Sequence, residues 1–316
     1  MHLIILFHLS SSALPPLHDY GYIYSFASFC GFAGSALALF FILSGYFTAL
    51  PAFSYKKWLI RLVSLAVPYF VWNTLFSVGL NDDCTLSRIY GLGEIDALCA
   101  DYPLWFVRAL FFITLLQPLW RKYTFLWLIV CVCYMFLGNG WPCSFISSLP
   151  FPEPKTCSLF LMGACLSLIK IHTLYKYLVI SFPLLLILNA VLYCNNFACF
   201  QEFAIALNII RAGLILSFFA FMESKLPFIV NWIAKQNQAC FLAYASHAGI
   251  IIVLGIILVD KLNINKELLQ SMSLFIAILI YYVNVIAFRL LKKYLPFLLP
   301  YVAHSGHIIS YKRIKD

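Results

Sequence analysis

The chain has 316 residues, of which 63% are apolar and only 10% are Asp, Glu, Lys or Arg, and its mean hydropathy is +0.92. A water-soluble domain carries roughly 25% charged residues, so this chain lacks the polar side chains to cover a soluble surface. The net charge of +9 does not point to nucleic acid, because the basic residues fall in short stretches between apolar runs. The composition, with 30 Phe among its aromatics, instead suits side chains facing lipid and membrane interfaces.

A membrane-spanning helix needs about 20 apolar residues, within a range of roughly 17–25. Apolar runs meet or approach this at 1–16, 24–49, 58–80, 103–120, 124–139, 157–170, 174–194, 203–222, 239–259 and 270–291. The expectation is an all-α membrane protein. It would form one bundle of about ten transmembrane helices over 1–295, with a basic cytosolic tail over 296–316 and both termini in the cytosol. The opening run has no basic n-region and no small-residue cleavage site, so it is read as the first span rather than a signal peptide.

Orientation follows from the basic residues. With the N-terminus inside and the spans alternating, most of the 21 Lys and Arg fall on the cytosolic side, among them Lys56, Lys57, Arg61, Arg121, Lys122, Lys170, Lys176, Lys225 and Lys235. Such an excess is the ordinary signature of cytosolic loops. Of the 12 acidic residues only Glu223 and Asp316 share that side. Six of the 11 cysteines lie two by two in or beside exterior loops: Cys84 with Cys99, Cys143 with Cys157, and Cys194 with Cys199. Disulfides persist in an oxidising exterior space, so one bridge per loop is expected. A metal site is not expected, since these pairs lack C-x-x-C spacing and an adjacent His. The localisation implied is the cell (inner) membrane.

Polar groups inside lipid are costly, which makes them candidates for function. In chain order they are His8, Ser44 and Tyr46, Arg61, Arg108 one turn after Trp105, Arg211, and His247. Each has a plainer role available: Arg61 as a membrane anchor, Arg108 reaching toward water, and Ser44-Gly45 as a small-residue helix contact. No span contains Asp or Glu, which weighs against a proton- or cation-coupled transporter. No phosphate loop, H-E-x-x-H or G-x-S-x-G pattern occurs.

Several short motifs recur in an order that resembles acyltransferase family 3, the membrane-bound acyltransferases of cell-surface sugars. They are Ile4-Ile5-Leu6-Phe7-His8, then Phe40-Phe41-Ile42-Leu43-Ser44-Gly45-Tyr46, then the basic run from Lys56 to Pro68-Tyr69. Trp105-Phe106-Val107-Arg108, Phe160-Leu161-Met162-Gly163-Ala164 and Tyr244-Ala245-Ser246-His247 follow. The resemblance implies an O-acyltransferase that passes an acyl group, usually acetyl from acetyl-CoA, to a hydroxyl of a surface polysaccharide or lipid-linked glycan. Its partners are then acyl-CoA, the glycan acceptor and the bilayer. Acetyl-CoA is a substrate, and no bound cofactor is implied. His8 takes the catalytic position as general base or covalent carrier. Arg61, with Lys57, Ser44 and Tyr46, would face the CoA phosphates. Trp105, Arg108, Arg211 and His247 remain further candidates. The family pattern is incomplete here. Its Arg upstream of the His has no counterpart, so either the true start lies upstream of Met1 or the first span lacks its cytosolic cap. Ser64 stands where a second Arg is usual, and no Glu follows Trp105 closely. A transporter or flippase of a lipid-linked sugar, or an inactive acyltransferase-like partner, would also fit ten helices.

Overall fold

A computed structural model of the chain describes residues 32–79, 104–137, 152–194, 201–235, 239–262, 264, 268 and 272–302. Among them the regular structure is helical throughout, with no strand. Every apolar run from 24–49 onward has a helix. These are α1 (Phe32–Ala49), α2 (Tyr55–Gly79), α3 (Trp105–Leu115) with α4 (Gln117–Trp120), α5 (Thr124–Leu137), α6 (Pro154–Leu166), α7 (Ile171–Cys194), α8 (Gln201–Lys225), α10 (Cys240–Gly255) and α11 (Ser273–Tyr294). Two short helices lie outside the expected spans, α9 (Pro227–Lys235) and α12 (Leu299–Val302). The run 1–16 falls outside the described residues.

Among the described residues four stretches are long and apolar enough to cross a membrane: Tyr55–Leu75, Ile171–Leu192, Ala206–Lys225 and Phe275–Tyr294. Ser35–Ala49 and Trp105–Leu115 are apolar but shorter. On α7 the side chains of Leu184, Leu186 and Ile187 all point outward. A surface this apolar is stable only against lipid. The chain is accordingly a helical membrane protein.

The span expected over 103–120 is broken. Pro118 has no N–H to give to the carbonyl of Thr114, four residues earlier, and its ring crowds that carbonyl. The helix ends at Leu115 and restarts at Gln117. The freed Thr114 carbonyl accepts a bond from the Trp58 indole at 2.8 Å, and the Ile113 carbonyl accepts one from the Trp120 indole at 2.8 Å. The elbow also reaches the end of α1. Gln117 donates to the Thr48 carbonyl at 3.4 Å, and Arg121 donates to the carbonyls of Ala49 (3.0 Å) and Pro51. The last carbonyls of a helix lack intrahelical donors, so this elbow supplies them. The start of α2, the end of α3 and the end of α1 therefore gather at one end of the bundle with Lys56, Lys57, Arg121 and Lys122.

The tightest contact is between α1 and α6. A Cβ on Gly45 would overlap the carbonyl of Phe160, and a Cβ on Gly163 would overlap the carbonyl of Ile42. Each glycine thus lets the other helix's backbone approach to touching distance. Phe41, Ile42, Phe160, Leu161 and Ala164 bury around the crossing. Elsewhere α7 and α8 form an antiparallel hairpin, joined in turn by Tyr175 to the Ala220 carbonyl (3.0 Å), Ser181 with Ser217 (3.2 Å) and Arg211 to Asn189 (2.9 Å). Helices α10 and α11 pack through a second small cluster around Ala243, Ala277 and Ile280, with Ser246 donating to Asn284 at 2.7 Å.

The described part of the C-terminal region, through residue 302, packs on the bundle. Residues Pro296–Leu298 form a 3-10 turn, and α12 packs on α2, where Trp72 donates to the Val302 carbonyl at 3.0 Å. Trp72 lies far along α2 from its basic start. Residues 303–316 lie outside the described residues.

The crossing makes a sharp prediction. Gly45→Ala and Gly163→Ala should each cost about 2 kcal/mol or more, since backbone cannot yield as a side chain can. Gly213→Ala meets only the Leu185 Cδ1 at 3.6 Å and should be neutral or mildly stabilising. Thermal unfolding of the detergent-purified protein would separate the two cases. Equal behaviour of all three variants would rule out the close crossing.

Candidate functional site

The motif residues converge from three helices. Phe40 and Phe41 of α1 meet Phe106 of α3 with ring centroids 5.7 Å and 4.6 Å apart, and Trp105 lies 5.9 Å from Phe41. Phe106 packs edge-on against Tyr244 of α10 at 5.8 Å, and Tyr244 lies 5.9 Å from the His247 ring. Offset and edge-to-face contacts of this kind favour a defined arrangement of rings. The result is a continuous aromatic run from the FF pair to His247, through residues separated by two hundred positions in sequence.

His247 is fully buried at 0% exposure, and its Nδ1 lies 2.6 Å from the Tyr244 carbonyl. A carbonyl only accepts, so Nδ1 carries the hydrogen. The neutral tautomer then keeps its lone pair on Nε2. Such an imidazole can act as an acceptor or as a base. Trp105 and Arg108 are both half-buried on α3.

The residues expected at the CoA end are arranged differently. Ser44 is half-buried, and its carbonyl accepts from the Thr48 hydroxyl. Tyr46 is buried, and its hydroxyl has no hydrogen-bond partner among the described residues. An unsatisfied buried hydroxyl costs roughly 1–3 kcal/mol, which makes it a candidate ligand contact. On α2, Lys57 is exposed in the first turn, and Arg61 is half-buried one turn later. Helices α1 and α2 do not pack side by side. The end of α1 that carries Ser44 and Tyr46 and the start of α2 that carries Lys57 and Arg61 are joined through the α3–α4 elbow.

Arg211 is 6% exposed, and its Nε donates to the Asn189 side chain at 2.9 Å. Asn208, one turn earlier, accepts from Ser35 of α1 at 3.4 Å. Arg211 therefore serves the packing of α8 on α7. Asn189 and Asn284 carry no motif. Their signal in sequence is a lone amide inside an apolar run, and both turn out to bond across a helix pair. Gln117 and Arg121 read only as a span end, whereas they hold the last turn of α1.

His8, Cys84, Cys99, Cys143 and Cys199 lie outside the described residues, and Cys194 is the last residue of α7. The expected bridge from Cys157 to Cys143 has one partner outside the described residues. Cys157 is a free buried thiol whose neighbour across the α5–α6 contact is the Cys131 thiol, with the Pro152 carbonyl 3.6 Å away. Among the described residues, no group of three or more His, Cys, Asp or Glu is placed to hold a metal ion.

No family model matches the chain, and no curated protein or solved structure matches it either. The expected resemblance to acyltransferases therefore rests on the sequence motifs alone.

A double-mutant cycle tests the Arg211 pair. Asn189→Leu and Arg211→Leu should couple by about 0.5–1.5 kcal/mol in unfolding free energy, the range for polar pairs between membrane helices. A coupling near zero would show that the bond does not hold α7 to α8.

Proposed function

We propose that the chain is an integral membrane O-acyltransferase. It moves an acyl group, in the first instance acetyl, from acyl-CoA to a hydroxyl of a surface polysaccharide or lipid-linked glycan precursor. The reading includes ten spans in the inner membrane with both termini cytosolic. The observation that carries it is the convergence of the motif residues. Phe40-Phe41, Trp105-Phe106, Phe160 and Tyr244 all belong to one packed core, with the buried Tyr46 hydroxyl at the basic end.

In this proposal the CoA phosphates lie at the basic end. Arg61 offers a planar set of donors to a phosphate, and Lys57 adds a mobile charge. Tyr46 and Ser44 would meet the pantetheine arm or the thioester. The acceptor hydroxyl attacks the thioester carbonyl and gives its proton to the His8 imidazole. The carbon–sulfur bond breaks, and the CoA thiolate leaves and takes up a proton. General-base help of this kind is worth about 10²–10⁴-fold.

Membranes containing the protein should transfer label from acetyl-CoA to a carbohydrate fraction. His8→Ala should lower this transfer by about 10²-fold or more while the protein still inserts. Transfer that survives in His8→Ala would remove His8 from its role. Arg61→Ala should raise KM for acetyl-CoA several-fold and leave kcat nearly intact, as loss of ground-state binding does. Movement of a lipid-linked sugar without acyl transfer would favour the flippase reading. For the topology, an accessibility tag after Asp316 should read as cytosolic. An exterior reading would end the alternation at α11.

A further inference from the structure

Helix α9 (Pro227–Lys235) has no place in the motif series or in the bundle core. It follows α8 after a single residue, Leu226. The Leu226 N–H still bonds the Met222 carbonyl at 2.6 Å, and the Leu226 carbonyl accepts from Ile229 (3.1 Å) and Val230 (3.5 Å). The corner therefore has no slack. Since Ala206–Lys225 is long and apolar enough to cross the membrane, α9 must lie at the level where that span emerges. Pro227 makes the turn, because it cannot donate to the carbonyl of Glu223 and so ends α8.

The surface of α9 fits that level. The helix is strongly amphipathic. Phe228 and Trp232 repeat at four-residue spacing, so they share one face. They are 68% and 53% exposed, whereas Ile229 and Val230 are half-buried. Asn231 stands exposed on the neighbouring stripe, and Lys235 follows it at the same spacing. An aromatic face beside a polar stripe is the pattern of a helix lying in the headgroup region. Charge adds a preference. The hydrogen bond from Tyr175 to the Ala220 carbonyl places the start of α7 beside the end of α8. Lys170, Lys176 and Lys225 are exposed at this end, and Glu223 is the acidic residue among them. An excess of lysines next to a membrane surface attracts anionic lipid, at about 1 kcal/mol for each charge near the surface.

We propose that α9 is an in-plane interfacial helix that seats Phe228 and Trp232 among acyl-chain ends near the headgroups, and that the adjoining lysines bind anionic phospholipid. The seat does not depend on acyl transfer, since it follows from the corner, the exposed aromatics and the charges. It would fix the end of the α7–α8 hairpin at one depth in the bilayer and collect anionic lipid beside it.

Trp232 reports the site directly. The full-length protein is reconstituted into phosphatidylcholine–phosphatidylglycerol vesicles, and the fluorescence of Trp232→Phe is subtracted from that of the parent. Lipid brominated high on the acyl chain should quench the Trp232 component more than lipid brominated near the chain end. Quenching by neither lipid would place α9 in water or under a protein partner and overturn the proposal. Stronger quenching by the deeper bromines would also overturn it, by making α9 part of a span. At equal mole fraction, brominated phosphatidylglycerol should quench roughly twofold more than brominated phosphatidylcholine, and Lys176→Gln with Lys225→Gln should abolish the difference. Equal quenching by both headgroups in the parent would remove the anionic part. Because the double lysine variant changes only exposed residues, its folding is checked by the unaltered emission of the remaining Trp residues.

Discussion

The contact on which the rest of the bundle depends is the glycine crossing of α1 and α6. Lipid offers no hydrophobic gain for burying apolar helices against one another, so packing and close backbone approach must hold them. Gly45 and Gly163 each accept a backbone carbonyl where any side chain would stand. With the two axes this close, Phe41 and Phe160 are buried at the crossing, and Trp120 can stack edge-on against Phe160 at 5.5 Å. The position of Phe41 then decides where Phe106 can sit, and through Phe106 the positions of Tyr244 and His247.

The second constraint is the supply of hydrogen-bond donors to carbonyls that lose theirs. Pro118 breaks the α3–α4 segment, and the structure answers with indole donors from Trp58 and Trp120. The same elbow carries Gln117 and Arg121 to the end of α1. In a bilayer an unsatisfied carbonyl costs several kcal/mol, so these bonds are a requirement rather than an ornament. They also bring the basic start of α2 to the same end of the bundle as the SG-aromatic motif. The proposed CoA end rests on this side effect of helix capping.

The polar groups inside the bundle divide into two kinds. Arg211, Asn189, Asn208 and Asn284 are committed to neighbouring helices. Tyr46 is buried, with a hydroxyl that has no hydrogen-bond partner among the described residues, and the His247 Nδ1 meets a carbonyl of its own helix. The cost of burying a polar group marks both kinds equally, which is why Arg211 stands beside His247 among the sequence candidates.

Helix positions were legible in the sequence because lipid imposes a simple rule: a span needs a long run of apolar residues, and such runs leave few alternatives to helix. Hence the runs from 58–80 to 270–291 agree with the helices to within a few residues, except where Pro118 divides one of them, and the described part of 24–49 is helical throughout. The basic residues likewise marked one end of the early helices, since charge is excluded from the apolar interior. Which residues meet was not legible. A Gly in an apolar run reads the same whether it faces lipid or a partner carbonyl, and a lone Asn reads the same whether it binds a ligand or a neighbour. Tertiary structure alone paired Gly45 with Gly163, Asn189 with Arg211 and Cys131 with Cys157, and folded α12 back on Trp72. Those pairings depend on helix rotation and crossing angle, which one-dimensional hydropathy does not contain.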